Sequence, residues 1–338
     1  MYQDRVTLYQ SLEKERNAKL LVYITGDRPG METQIHSEVL DYLVDHVDTF
    51  NLPKRISLYL YSRGGETLAG WSIVNLIRQF CEDFEVIVPS KAHSAATLIS
   101  IGANRIVMTK QATLGPIDPS INTPLNPQVP GGPPNARIPI SVEAVAAYFE
   151  LAKTQLKVNN EAQLTSIFLK LSDQVHPIAL GSVYRARTQI QMLAEKLLRY
   201  HLTDETKINK IVSVLCSESG SHDYTMNRRE AASYGLAIEK PNDSVYTIIR
   251  KIHTDIRKEL RLNEKYEASV ELGGTSTKTY SYPRVLIESI SGGSHKFVSE
   301  GILTKQQIQT QMGMIDGVND QRTFEGWKHE ENTDKATT

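Results

Sequence analysis

The chain has 338 residues, enough to bury a substantial core as one large domain or two smaller ones. Its 38 Lys and Arg nearly balance its 39 Asp and Glu, so no global field favours nucleic acid or a membrane surface, and apolar runs such as Lys19–Ile24 are too short to span a bilayer. Two cysteines, Cys81 and Cys216, make no disulfide framework and sit at no metal-ligand spacing, and Met1–Leu20 is too charged for a signal peptide, so a soluble, cytoplasmic protein without a metal is expected.

Tyr2–Asn17 reads as a helix and Lys19–Thr25 as a buried strand. After a turn at Gly26–Gly30, the stretch Glu32–Phe50 places Ile35, Val39, Leu40, Leu43 and Val47 at helical spacing. Arg55–Tyr61 is a second strand, and Thr67–Phe80 a helix with Ile73, Leu76, Ile77 and Phe80 on one face. Phe84–Val88 and Arg105–Met108 are further strands, separated by a short helix at Ser94–Ile101. Strands alternating with helices predict mostly parallel pairing with right-handed crossovers.

The character changes at Pro119–Pro139, whose seven prolines bar regular structure. Helices are then predicted over roughly Ser141–Leu171, Ile178–His201, Glu205–Cys216, Asn227–Tyr234 and Asn242–Leu262. Tyr266–Leu272 and Thr279–Ile290 alternate like a hairpin joined at Gly273-Gly274, and the polar tail after Trp327 is expected to be mobile. The expected organisation is a domain over 1–240, with the proline-rich loop at 119–140 and a helical arm at 141–216, then an extension over 241–326 and a tail over 327–338.

Two short segments carry chemistry. Ser62-Arg63-Gly64-Gly65 and Ser94-Ala95-Ala96-Thr97 each follow a β-branched or aromatic run, and each opens an amphipathic stretch. One elbow offers a Gly-Gly backbone cradle and the other a hydroxyl. Acyl hydrolysis needs both a nucleophile and fixed N–H groups for the developing oxyanion. Alone, a serine opening a helix is usually an N-cap, and a Gly-Gly pair is usually a turn.

The surrounding residues make a specific resemblance. Leu58–Gly65 with Ala69-Gly70, Val88–Thr97, Gly102–Met108, Leu114–Pro119, His176–Gly181, His222–Tyr224, Glu230-Ala231 and Tyr234–Leu236 together resemble the Clp protease/crotonase superfamily. The likeness is greatest to its serine-dehydrogenase-proteinase family of Clp-like serine peptidases and covers about Leu20–Glu239. It implies an α/β ClpP/crotonase-like spiral of ββα units with an extended helical arm, forming a homo-oligomer (a trimer or larger ring) through its long helices. It also implies Ser94 as nucleophile, the backbone N–H groups of Gly65 and Ala95 as oxyanion hole, and Gly64, His93 and Pro116 as substrate-lining residues.

There are two departures. Arg63 stands where the superfamily usually has proline before the Gly-Gly turn. No histidine falls between His93 and His176, which removes the Ser-His-Asp arrangement of the ATP-dependent Clp peptidases. Ser-Lys relatives carry their lysine on a helix some tens of residues after the serine. Lys153 is therefore the expected base, with His176 as the main alternative and Lys157, His222 and Asp223 behind them. No phosphate-binding Gly-x-x-x-x-Gly-Lys pattern occurs and nothing resembles a pyridoxal-phosphate site, so no cofactor is expected. A serine peptidase acting on protein or peptide substrates is the leading reading. A catalytically silent oligomeric scaffold on the same fold comes second, and crotonase-type acyl-CoA chemistry third, disfavoured by the serine at the elbow.

Overall fold

The computed structural model describes residues 1–117, 120–218, 223–310 and 313–332. In chain order come α1 (Tyr2–Arg16), β1 (Lys19–Thr25), α2 (Val39–Val47), β2 (Arg55–Tyr61), α3 (Thr67–Phe80), β3 (Asp83–Val88) and β4 (Lys91–Ala92). Next are α4 (Ala95–Ile101), β5 (Arg105–Met108) and β6 (Thr113–Leu114), with β7 (Ser120–Ile121) and β8 (Ile140–Ser141) bracketing the proline-rich loop. The arm comprises α5 (Val142–Glu150), a π-turn at Leu151–Gln155, α6 (Glu161–Gln174), α7 (Pro177–Leu198) and α8 (Glu205–Ser213). The chain returns through β9 (Met226–Asn227), α9 (Arg228–Ser233) and β10 (Ile238–Glu239). It ends with α10 (Asp243–Glu259), α11 (Ala268–Leu272), β11 (Thr277–Ser289), β12 (Gly293–Thr310) and β13 (Gly313–Glu330).

The main sheet has the order β10-β5-β3-β2-β1-β11-β12-β13. Its first five strands are parallel, as the alternation predicts. The last three are antiparallel. Because successive side chains of a strand point to opposite faces, each parallel strand feeds two cores. Leu21 and Tyr23 of β1 and Ile56, Leu58 and Leu60 of β2 pack with α2, α3, α4, α7 and α8. Leu20, Val22 and Ile24 of β1 and Tyr59 of β2 pack instead with α1 and α10, through Val6, Tyr9, Ile249, Ile252 and Ile256. Full burial of each such aliphatic side chain is worth roughly 1.5–3 kcal/mol, so the doubly covered sheet is the rigid frame for whatever its strand ends present. This is the mixed α/β architecture, with its helical arm, that the sequence leads one to expect. No helix among the described residues is long and apolar enough to cross a membrane.

Several expectations are corrected. Glu32–Phe50 is not one helix: α2 starts only at Val39, because Ile35 is drawn into a parallel bridge with Gly65. The arm is broken rather than continuous, since α5 stops at Glu150, winds into the π-turn and passes Lys157 at φ 57°. Tyr266–Leu272 forms no hairpin with the following strand. Ala268–Leu272 is a helix whose Glu271 reaches Arg28 and Arg261, while β11 pairs with β1 and β12. Beyond Ile290, β12 and β13 extend the sheet. β13 carries Trp327 against Tyr42 and Phe297, so chain order persists to Glu330, past the start of the expected mobile tail.

Candidate active site

Past the end of β2 the chain turns at Gly64 and Gly65, whose φ values of 114° and 151° are conformations that glycine adopts readily. A Cβ on Gly65 would lie 2.2 Å from Ile35 O. One on Gly64 would lie 2.7 Å from Ser94 Cβ and 3.2 Å from Ser94 Oγ. Absence of side chains is thus what lets the two elbows touch.

The serine elbow is fixed from several sides. His93 N–H donates to Ser62 O (3.1 Å) and Ser62 N–H donates to Lys91 O (3.2 Å), tying β4 to the end of β2. Thr97 Oγ1 lies 2.8 Å from both Ala92 O and Gly115 O and accepts from Gly115 N–H at 3.1 Å. Held this way, Ser94 has φ 52° and ψ −118°. Such a backbone costs of order 1–3 kcal/mol for a residue with a side chain and persists only where its surroundings over-determine it. Ser94 occupies the N-cap position of α4, yet its side chain makes no capping hydrogen bond. The bland N-cap role is therefore unfilled.

The backbone donors divide in the same way. Gly64 N–H is taken by Ser62 Oγ at 2.9 Å, and Ala96 N–H by His93 O at 3.0 Å. Gly65 N–H and Ala95 N–H find no acceptor among the described residues. For Ala95 this follows from its place as first residue of a helix, where N–H groups have no intrahelical partner.

Ser94 opens on a cavity of about 230 Å³ shared with Arg63, Lys91, His93, Pro116, Asp223 and Thr225. His93 Nε2 lies 2.9 Å from Thr113 Oγ1, and its ring packs where a side chain on Gly115 would clash. Lys91 Nζ donates to Asp27 Oδ2 at 2.7 Å, and Tyr61 OH donates to Asp27 Oδ1 at 2.7 Å. Burial, and then the Asp27 carboxylate, pushes the Tyr61 phenol well above its ordinary range, so it stays a donor. His253 packs on the Tyr61 ring at 5.3 Å, and burial followed by nearby cations lowers it to about 4.

Of the residues singled out in the sequence, Ser94, Gly64, Gly65, Ala95, His93 and Pro116 come together here, with Asp223 on the pocket wall. Lys153 does not line this pocket. It sits on the π-turn with Nζ 3.9 Å from Glu150 and a side chain 47% exposed. Lys157 is exposed as well. His176 is exposed and caps α7, its Nδ1 accepting from Ile178 N–H at 3.2 Å. His222 lies outside the described residues. Three contributors escaped the sequence reading: Ile35, hidden by its apparent helical spacing, and Asp27 and Tyr61 beneath Lys91. Their one signal is position, since Asp27 and Tyr61 lie at or just beyond the carboxyl ends of parallel strands, where ligands of such sheets bind.

Residues 47–129, which hold both elbows, match the family described as ClpP-like SDH-type serine proteinase. Two uncharacterized proteins of Methanocaldococcus jannaschii, MJ0137 and MJ1495, are 26% identical over 205 residues and 27% identical over 183 residues, or 60% and 54% of this chain. The matches span 60% and 51% of the length of those relatives. A 1510-N membrane-bound stomatin-specific protease variant in complex with a substrate peptide aligns at 16% identity, over 68% of this chain and 79% of its own, with a TM-score of 0.37. ClpP1 from Listeria monocytogenes aligns at 16% identity, over 70% of this chain and 99% of its own, with a TM-score of 0.36. The segments that meet at Ser94 are thus the ones similar to the ClpP-like SDH-type serine proteinases.

Proposed function

We propose that the protein is a serine peptidase in which Ser94 Oγ attacks a peptide carbonyl and the N–H groups of Gly65 and Ala95 hold the oxyanion. One observation carries this reading. Ser94 is kept in a strained backbone at a helix start without capping the helix, pressed against Gly64 and beside two N–H groups that no other acceptor takes.

The Ser94 proton needs an acceptor that later delivers it to the leaving amine. In this reading Lys153 is that base. Its present neighbour is Glu150, so the arm has to close over the pocket before chemistry. Tyr148, Leu151, Phe168 and Leu169 leave the arm with exposed apolar side chains, a face that a second copy of the chain would cover. Assembly into a trimer or larger ring is therefore part of the proposal. His176 could replace Lys153 only by giving up its cap on α7.

A second reading, a silent scaffold on this fold, is favoured by one fact: among the described residues no base hydrogen-bonds to the Ser94 hydroxyl. Labelling the purified protein with a fluorophosphonate separates the two. Covalent modification at Ser94, lost in Ser94→Ala and slowed in Lys153→Ala, is expected. An assembled protein that resists labelling sinks the peptidase reading.

A further inference from the structure

We infer that Arg63, backed by Lys91, forms a carboxylate-binding subsite beside Ser94, so that the pocket selects peptides bearing a negative charge close to the bond presented to the serine. The inference rests on the peptidase reading for its purpose, but its physical content is a binding preference. Arg63 is exposed, lines the Ser94 cavity and stands two residues before Gly65. It makes no hydrogen bond or ion pair among the described residues, so all five of its N–H donors are available in the planar fork that matches a carboxylate.

Lys91 sits on the same wall and is 32% exposed. Asp27 Oδ2 takes one ammonium proton, and Asp27 is itself fixed by Tyr61, leaving two donors in a set position. The acidic residue on the wall, Asp223, is already engaged in contacts of its own. Both cations line the same cavity of about 230 Å³ as Ser94, so a residue next to an acyl group at Ser94 would have them on its wall. The carboxylate has two sources: an acidic side chain or a free chain terminus.

The test uses the Ser94→Ala protein, so that binding is read without turnover. Three fluorescent peptides of one sequence carry either a Glu side chain, a free C-terminal carboxylate, or neither (Gln and amide). One of the charged peptides should bind about tenfold tighter than the neutral one at low salt, which identifies the source. Adding Arg63→Ala should collapse that ratio, and adding Arg63→Glu should shift the preference to a Lys-bearing peptide. Equal binding of all three peptides, no binding of any, or a ratio that survives Arg63→Ala overturns the subsite. Charge-selective binding without fluorophosphonate labelling of the parent protein would instead remove the chemistry and leave the subsite standing.

Discussion

In α4, behind Ser94, every residue from Ala95 to Ile101 is buried; in α6, on the arm, none is. The sequences explain the contrast. Ala-Ala-Thr-Leu-Ile-Ser-Ile has no charge and small residues where α3 presses closely, as at Gly70, where a Cβ would lie 3.0 Å from Ala95 O. Glu161–Gln174 is amphipathic, and its Phe168 and Leu169 meet solvent. The elbow is determined within one chain, whereas the arm holds apolar surface that one chain does not cover. In the proposed mechanism a strained nucleophile requires the first kind of environment, and a base that must approach it tolerates the second.

The largest effect is expected at the elbow itself. Ser94→Ala should lower labelling and peptide hydrolysis by at least about 10³-fold with little change in unfolding midpoint. Undiminished hydrolysis would show that the rigid half of the molecule does no chemistry. Next comes Gly65→Ala, whose new Cβ would meet Ile35 backbone atoms at 2.2 and 2.4 Å. Backbone cannot step aside as a side chain can, so a loss of about 3 kcal/mol or more is expected in urea unfolding. Leu169→Ala on the arm should change the stability of the single chain by less than about 0.5 kcal/mol.

A smaller change is expected from the arm, and of a different kind. Lys153→Ala should cut turnover by about 10²-fold while leaving the fold intact. Phe168→Glu should produce the same loss by separating the copies, visible as a lower mass in light scattering. Full activity in a monomeric Phe168→Glu protein would break the division of labour drawn here.

The remaining effect is a pH dependence that belongs to the body of the fold. His46, His201 and His253 are held at about 3, about 4 and about 4, first by burial and then by neighbouring charged or titrating groups. The native state keeps them neutral while the unfolded chain protonates them near 6.5, so the unfolded state binds more protons in that window. Stability is therefore complete above about pH 6.5 and declines as pH falls toward 4, by roughly 1 kcal/mol per pH unit per histidine. His253 Nδ1 has no hydrogen-bond partner among the described residues. His253→Phe keeps the ring against Tyr61 and should flatten the acid side of the curve, and an unchanged slope would show that this group does not titrate on unfolding.

The parallel half of the sheet was legible because β1, β2, β3 and β5 are short β-branched or aromatic runs separated by helical spacing, and both elbows were legible as glycine and small-residue interruptions of that pattern. Of the antiparallel half only β11 was, read as a strand at Thr279–Ile290 though with the wrong partner. Lys305, Gln306, Gln307, Asp316, Asn319 and Asp320 lie in β12 and β13, where pairing to a neighbouring strand rather than side-chain preference makes a strand. Helix 268–272 was likewise misread, because what holds it is Glu271 meeting Arg28 and Arg261, partners scattered through the chain.

By itself the sequence determined the α/β alternation, the likeness of residues 47–129 to a serine-proteinase family, and the presence of a serine elbow and a Gly-Gly turn, since each is written in contiguous residues. Only the tertiary structure decided that Gly64 touches Ser94, that Ile35 leaves its apparent helix to bridge Gly65, that Asp27 holds Lys91 on the pocket wall, and that Lys153 faces Glu150 instead of the serine. The physical reason is distance along the chain. Periodicity and turn chemistry act over a few residues, whereas a site is assembled from strand ends that meet only after the sheet has formed.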